Sequence, residues 1–167
     1  MRRLLFPSLI ALTLPFTQVH GSQPSLPQAD HVQIKKAARK LLLIRDGQVY
    51  ETFSISLGGH PTGPKLCEGD ERTPEGRYTI DARNAGSGFH RSLHISYPSP
   101  DDVARSRRAG CAPGGAIMIH GIKNGLGWLG RLHRAMDWTD GCVAVTDREM
   151  DEIWGSVRVG TPVEILP

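Results

Sequence analysis

Between Ile119 and Thr146 the chain reads IHGIKNGLGWLGRLHRAMDWTDGCVAVT, and this stretch limits what the remainder can build. It holds five glycines, at positions 121, 125, 127, 130 and 141. Each glycine inside a helix costs about 1 kcal/mol relative to alanine, so one long helix is disfavoured. The segment suits a loop-built site held between two strands. An apolar run ending in His120 opens it, and Thr139-Asp140-Gly141-Cys142 closes it. A nucleophilic thiol needs a base, a lowered pKa and backbone donors for a developing oxyanion. His120 and Cys142 on neighbouring strands could supply these. A buried cysteine beside a structural histidine fits the same spacing, which leaves both readings open.

The N-terminus reads MRRLLFPSLIALTLPFTQVHG. Two arginines precede a short apolar run broken by Pro7 and Pro15, the pattern of a signal peptide over residues 1–21 rather than of a membrane span. Val19 and Gly21 stand at the −3 and −1 positions of a cut after Gly21, and an uncleaved anchor is the alternative. Either way the domain is expected to be exported, to the periplasm or cell envelope. The formal charge of +3 falls to +1 without Arg2 and Arg3 (3 − 2 = 1), which gives no basis for a nucleic-acid partner. Removing 21 residues from 167 leaves 146, enough for one sizeable core. Residues 22–37 are expected as a leader segment ahead of a catalytic domain over 38–167. The polar part of that leader is SQPSLPQADH, and strand-like material begins at Val32.

Many short strand patterns and only two helical ones predict a mainly β fold, a sandwich or partly closed barrel with short peripheral helices. Asp46-Gly47 marks a hairpin. Its second strand, Val49 to Leu57, alternates Val49, Phe53, Ile55 and Leu57 on one face with Tyr50, Thr52, Ser54 and Ser56 on the other. Residues 58–76 form a long Gly, Pro and charge-rich loop, followed by a strand over Arg77–Asp81. Phe89 to Tyr97 reads as a strand, and Asp101 to Arg108 as a short helix with charges matched to its dipole. Ala116 to Ile119 is a buried strand delivering His120. Gly121 to Trp138 is a variable loop. Thr146 and Glu149 make a capping box for a helix packed through Met150, Ile153 and Trp154. Val157 to Ile165 closes the sheet.

His90 and His94 share one face of the expected strand and raise a rival reading as metal ligands, with His120 or His133 completing a set. A zinc enzyme needs three protein ligands, and no acid or cysteine stands at ligand spacing nearby. A polar wall of a substrate cleft suits His94 better. Trp128, Trp138 and His133 could wall a groove over the site, since tryptophan faces suit sugar rings and peptide stems, with core packing against the sheet the alternative for Trp138. Arg131 is a further substrate-binding candidate.

The pairing of an apolar strand, His120-Gly121, a variable stretch and Thr139-Asp140-Gly141-Cys142 resembles the L,D-transpeptidase catalytic domain, the YkuD-like family. The similarity runs from about Lys40 to Ile165, and Thr73-Pro74-Glu75-Gly76 resembles a further family element beside the sheet. The resemblance implies Cys142 as nucleophile and His120 as base, its imidazole oriented by the Gly121 carbonyl. A protonated His120 would lower the thiol pKa by charge pairing. Gly141 and Cys142 would offer backbone N–H groups to the oxyanion, with Thr139 stabilising the loop. It further implies acyl transfer on peptidoglycan stem peptides: attack on the third-residue carbonyl of a tetrapeptide, release of D-alanine, and transfer to an amine. No metal or cofactor is called for, and no integral membrane segment is expected after signal removal. Water as acceptor gives a carboxypeptidase or an amidase releasing a wall-linked protein. A zinc peptidase and a non-catalytic wall-binding domain are the more distant alternatives. Two departures stand out: Thr139 replaces the common serine, and Ala144 stands where an arginine is frequent. His133 and Arg131 are candidates to replace that cation. With Cys142 kept reduced, Cys67 and Cys111 form the natural disulfide pair, two unpaired thiols being the alternative.

Overall fold

A computed structural model describes residues 27–167. The expected signal peptide, residues 1–21, lies outside them. Eight strands form one sheet in the order β3-β2-β1-β8-β4-β5-β6-β7. They are β1 (His31–Lys35), β2 (Lys40–Arg45), β3 (Gln48–Ser54), β4 (Gly76–Asn84), β5 (Ser92–Ile95), β6 (Met118–His120), β7 (Val143–Ala144) and β8 (Pro162–Leu166). Two helices, α1 (Pro100–Arg108) and α2 (Asp147–Ser156), and a 3₁₀ segment over Gly127–Ala135 complete the described elements. The fold is mainly β, a partly closed barrel with short helices. None of the described helices is long and apolar enough to cross a membrane.

The hairpin forms where Asp46-Gly47 places it, with φ of 52° and 74° at the two turn residues. A bulge between Leu43 and Ile44 shifts the pairing, so that Leu43 faces Glu51 while Ile44 faces Val49. The alternation expected of β3 therefore fails at its start. Val49 is 50 % exposed, whereas Tyr50 packs against the core.

The domain boundary expected at residue 38 falls inside the sheet. Residues 31–35, read as leader, form β1, with Val32 and Ile34 fully buried. This strand pairs antiparallel with β2 and parallel with β8, in the register Val32↔Val163 and Ile34↔Ile165. A strand hydrogen-bonded on both sides is interior to the sheet, and the preceding prolines gave no sign of it. Two further elements differ from expectation. The strand expected over Phe89–Tyr97 is only Ser92–Ile95, because His90 takes a left-handed φ of 64° that breaks an extended run. The stretch over Gly121–Trp138 contains the 3₁₀ segment, interrupted by a non-helical Gly130.

Both helices carry the capping boxes that fix their starts. Ser99 and Asp102 cap α1, and Thr146 and Glu149 cap α2. Met150 and Ile153 of α2 are fully buried with Ile119, Val143 and Val145 in the core. This packing holds β6 and β7 together. They run parallel, with Ile119 opposite Val143 and His120 opposite Ala144. Continuing that register sets Cys142 beside Met118, on the side of the pleat that His120 also shares. Cys67 and Cys111 are bridged, their Cα atoms 5.7 Å apart, and Cys142 is a free thiol.

Candidate active site

His120 ends β6 and is only 5 % exposed. Its Nδ1 lies 2.6 Å from the Gly121 carbonyl. A carbonyl can only accept, so Nδ1 carries the hydrogen and Nε2 keeps its lone pair in the neutral ring. Phe89 and Trp138 flank the imidazole, with ring centroids 4.7 and 5.8 Å away. Space dictates glycine at 121. A methyl group there would stand 2.7 Å from Asp147 Oδ1 and 2.9 Å from His90 Cβ. Asp147 in turn accepts the Ile122 N–H at 2.8 Å, which fixes the chain just past the histidine.

Cys142 is half-buried, and its thiol points to the Ala116 carbonyl at 3.5 Å. Thr139 stitches the turn before it: Oγ1 donates to the Cys142 carbonyl at 2.8 Å and accepts the Gly141 N–H at 3.2 Å. The Gly141 N–H expected to face an oxyanion is thus engaged inside the turn. Gly141 itself has φ of 120°, a conformation that side-chain-bearing residues rarely adopt.

Burial moves the two titrating groups in opposite directions. Desolvation pushes the His120 pKa down, and the Gly121 hydrogen bond only partly offsets it. Desolvation, with the nearby Asp140 carboxylate, pushes the Cys142 thiol up. Both shifts run against the charge pairing expected from the sequence, since burial disfavours the charged form of each group.

His120, Thr139 and Cys142 line one cavity of about 410 Å³. Its other walls are Ser87, Phe89, Ala116, Met118, Lys123, Trp138 and Asp140. Lys123 is exposed and makes no ion pair among the described residues. Sequence reasoning passed over Lys123, which one of 20 Lys and Arg residues cannot advertise on its own. Its one signal is its place, three residues beyond His120. Ala144 is fully buried and exchanges two 2.9 Å backbone hydrogen bonds with Ser56. Lys123 is consequently the cation of this cavity.

None of the four expected substrate-binding residues lines that cavity. His133 is buried behind Trp138, whose Nε1 donates to its Nδ1 at 3.4 Å. Desolvation and the neighbouring Arg134 bring the His133 pKa down to about 4. Trp128 is 77 % exposed on the 3₁₀ segment. Arg131 lines a separate cleft with Thr146, Asp147 and Glu149. His94 bonds the Asp81 carboxylate at 2.5 Å, and His90 bonds Asp151 at 2.7 Å. The described residues contain no group of three or more His, Cys, Asp or Glu disposed to hold a metal ion.

A family model described as the L,D-transpeptidase catalytic domain matches residues 29–165. Among curated proteins, the Escherichia coli (strain K12) protein named "Putative L,D-transpeptidase YafK" is 28 % identical over 150 residues. That match covers 82 % of this chain and 53 % of the relative, so the chain spans about half the length of that protein. Among solved structures, the helical cell shape determining protein Pgp2 from Campylobacter jejuni aligns with a TM-score of 0.60 at 23 % identity. It covers 80 % of this chain and 46 % of Pgp2. An L,D-transpeptidase from Mycobacterium smegmatis aligns with a TM-score of 0.53 at 15 % identity, over 81 % of this chain and 58 % of that one. These structural likenesses establish the fold. With the family model spanning nearly all of the described sheet and both halves of the site, the chain belongs to the L,D-transpeptidase catalytic-domain (YkuD) family.

Proposed function

We propose that Cys142 performs acyl transfer on peptidoglycan stem peptides, with His120 as its general base. One observation carries the reading: Gly121 fixes the tautomer that leaves a basic Nε2 in the cavity that also holds the thiol. The Cys142 proton passes to Nε2 as sulfur attacks the third-residue carbonyl of a tetrapeptide stem. The Cys142 N–H stabilises the oxyanion. The Gly141 N–H joins it on exchanging its bond to Thr139 Oγ1. Collapse breaks the amide C–N bond, and the imidazolium returns its proton to the departing D-alanine amine. An acceptor amine then yields a proton to Nε2 and attacks the thioester, releasing the thiolate for reprotonation. Water in the acceptor's place yields hydrolysis by the same two residues. Peptidoglycan as substrate places the enzyme in the cell envelope. The export signal expected from the sequence over residues 1–21 is in keeping with that location.

The test is intact-protein mass after incubation with a disaccharide-tetrapeptide, beside the Cys142→Ala variant. An adduct of the stem less its terminal D-alanine, absent from the variant, supports the thioester. A labelled D-amino acid then separates exchange from hydrolysis. Neither adduct nor product with Cys142 reduced would end the tetrapeptide-donor reading.

A further inference from the structure

The chemistry above leaves residues 58–76 without a part, yet this loop is clamped by Lys36, braced internally by Lys65 and joined by a disulfide to the chain beyond α1. Lys36 is only 2 % exposed, and its Nζ donates to Gly63 O at 2.6 Å, Thr73 O at 2.9 Å and Glu75 Oε1 at 2.8 Å. All three protons of a buried ammonium are thereby used on one loop. Lys65, also buried, reaches Cys67 O and Asp70. The other oxygen of Asp70 accepts the Leu66 and Cys67 N–H groups at 2.7 and 3.0 Å. The Cys67–Cys111 bridge joins the loop to the chain just beyond α1.

The opposite side of this loop lies on the catalytic turn. A methyl group built on Gly141 would stand 2.5 Å from the Arg72 carbonyl, and one on Gly58 would come 3.0 Å from Gly141 Cα. Thr73 Oγ1 accepts the Gly58 N–H at 3.3 Å, and the Gly59 N–H donates to Thr139 O at 3.1 Å. Gly58 also bridges to Thr139. Contacts therefore run without a gap from Lys36 through Thr73 and Arg72 to the turn that carries Cys142.

We propose that residues 71–75 act as a strap that holds the Thr139–Cys142 turn in its reactive shape. Lys36 is the positioning residue that tensions this strap. Surface loops ordinarily need no buried charged clamp, and a merely structural lysine has no reason to select the loop behind the nucleophile. With the clamp removed, Gly141 is free to leave its positive φ, and the thiol drifts from its place beside His120. The inference rests on Cys142 as the nucleophile, but its test needs no peptidoglycan.

The experiment uses Lys36→Met combined with Glu75→Gln, so that no buried carboxylate is stranded. With Cys67 and Cys111 bridged, iodoacetamide labels Cys142 alone. The rate of labelling is followed against pH, well below each protein's unfolding midpoint. In the double variant the midpoint is expected to move to that of a free thiol, about 8.5, with at least a fivefold change in rate at pH 7. Where stem-peptide turnover is measurable, kcat falls about tenfold while KM stays within twofold, as expected for misplaced reacting groups. Should the double variant fail to fold, Thr73→Val removes only the strap's bond to Gly58. It is expected to change the labelling rate more than twofold. A labelling profile matching the parent protein in a folded variant, whatever its loss of thermal stability, overturns the proposal.

Discussion

Replacing Gly141 with alanine tests the backbone of the Thr139–Cys142 turn most directly. Two costs add. The φ of 120° lies where an L side chain is strained, at about 1–3 kcal/mol. The new methyl would also stand 2.5 Å from Arg72 O, where ordinary contact begins at 3.4 Å, a shortfall of 0.9 Å (3.4 − 2.5). The Arg72 carbonyl cannot easily retreat, because Thr73 beside it is held by Lys36. Overpacking of this kind costs about 1–3 kcal/mol. The sum is about 4 kcal/mol, a large part of the roughly 5–15 kcal/mol that stabilises a domain. Urea unfolding of the oxidised protein is the assay. With a slope near 2 kcal/mol/M the midpoint is expected to fall by about 2 M. A loss below about 1 kcal/mol, with acylation intact, would refute both the strain and the close packing against the strap.

Three further outcomes are expected. Because burial lowers the His120 pKa, kcat/KM should rise with pH through a midpoint below the usual histidine value; a midpoint above it would indicate the ion pair that the structure disfavours. His133 titrates near 4 when folded against about 6.5 unfolded, so its neutral form stabilises the fold above pH 6.5. That contribution, about 3 kcal/mol, is lost as pH falls from 6.5 to 4, and His133→Leu should flatten the stability profile across this window in urea titrations. Lys123→Ala should raise KM for a free-carboxylate stem about fivefold, the effect of one exposed ion pair worth about 1 kcal/mol, with kcat little changed. Equal kinetics for parent and variant would remove Lys123 from substrate binding.

Legibility in the sequence followed the range of the interactions involved. Asp46-Gly47 and Thr146 with Glu149 fix a turn and a helix start through bonds spanning three residues or fewer, and patterns of that range were read directly, whereas the equally local box of Ser99 and Asp102 was passed over in favour of the charges of α1. The His120–Gly121 contact is equally local, which is why the orientation of the imidazole was foreseeable from the motif. The bulge at Leu43/Ile44 left no mark in the alternation of β3, so Val49 was misplaced. Strand-like residues were visible from Val32, but their place inside the sheet was not, because the partner across the parallel pairing, β8, lies more than a hundred residues away.

By itself the sequence determined the His-Gly and Thr-x-Gly-Cys motifs, the family they mark, and the mainly β class, since glycine spacing and period-two alternation act within a few residues. Only the tertiary structure decided which charges and walls surround them. It put Lys123 and Phe89 on the cavity and set His133, Trp128, Arg131 and His94 elsewhere. It also buried His120 and Cys142, which pushes the imidazole pKa down and the thiol pKa up. Burial depends on what the rest of the chain stacks against a side chain, and no local pattern carries that information.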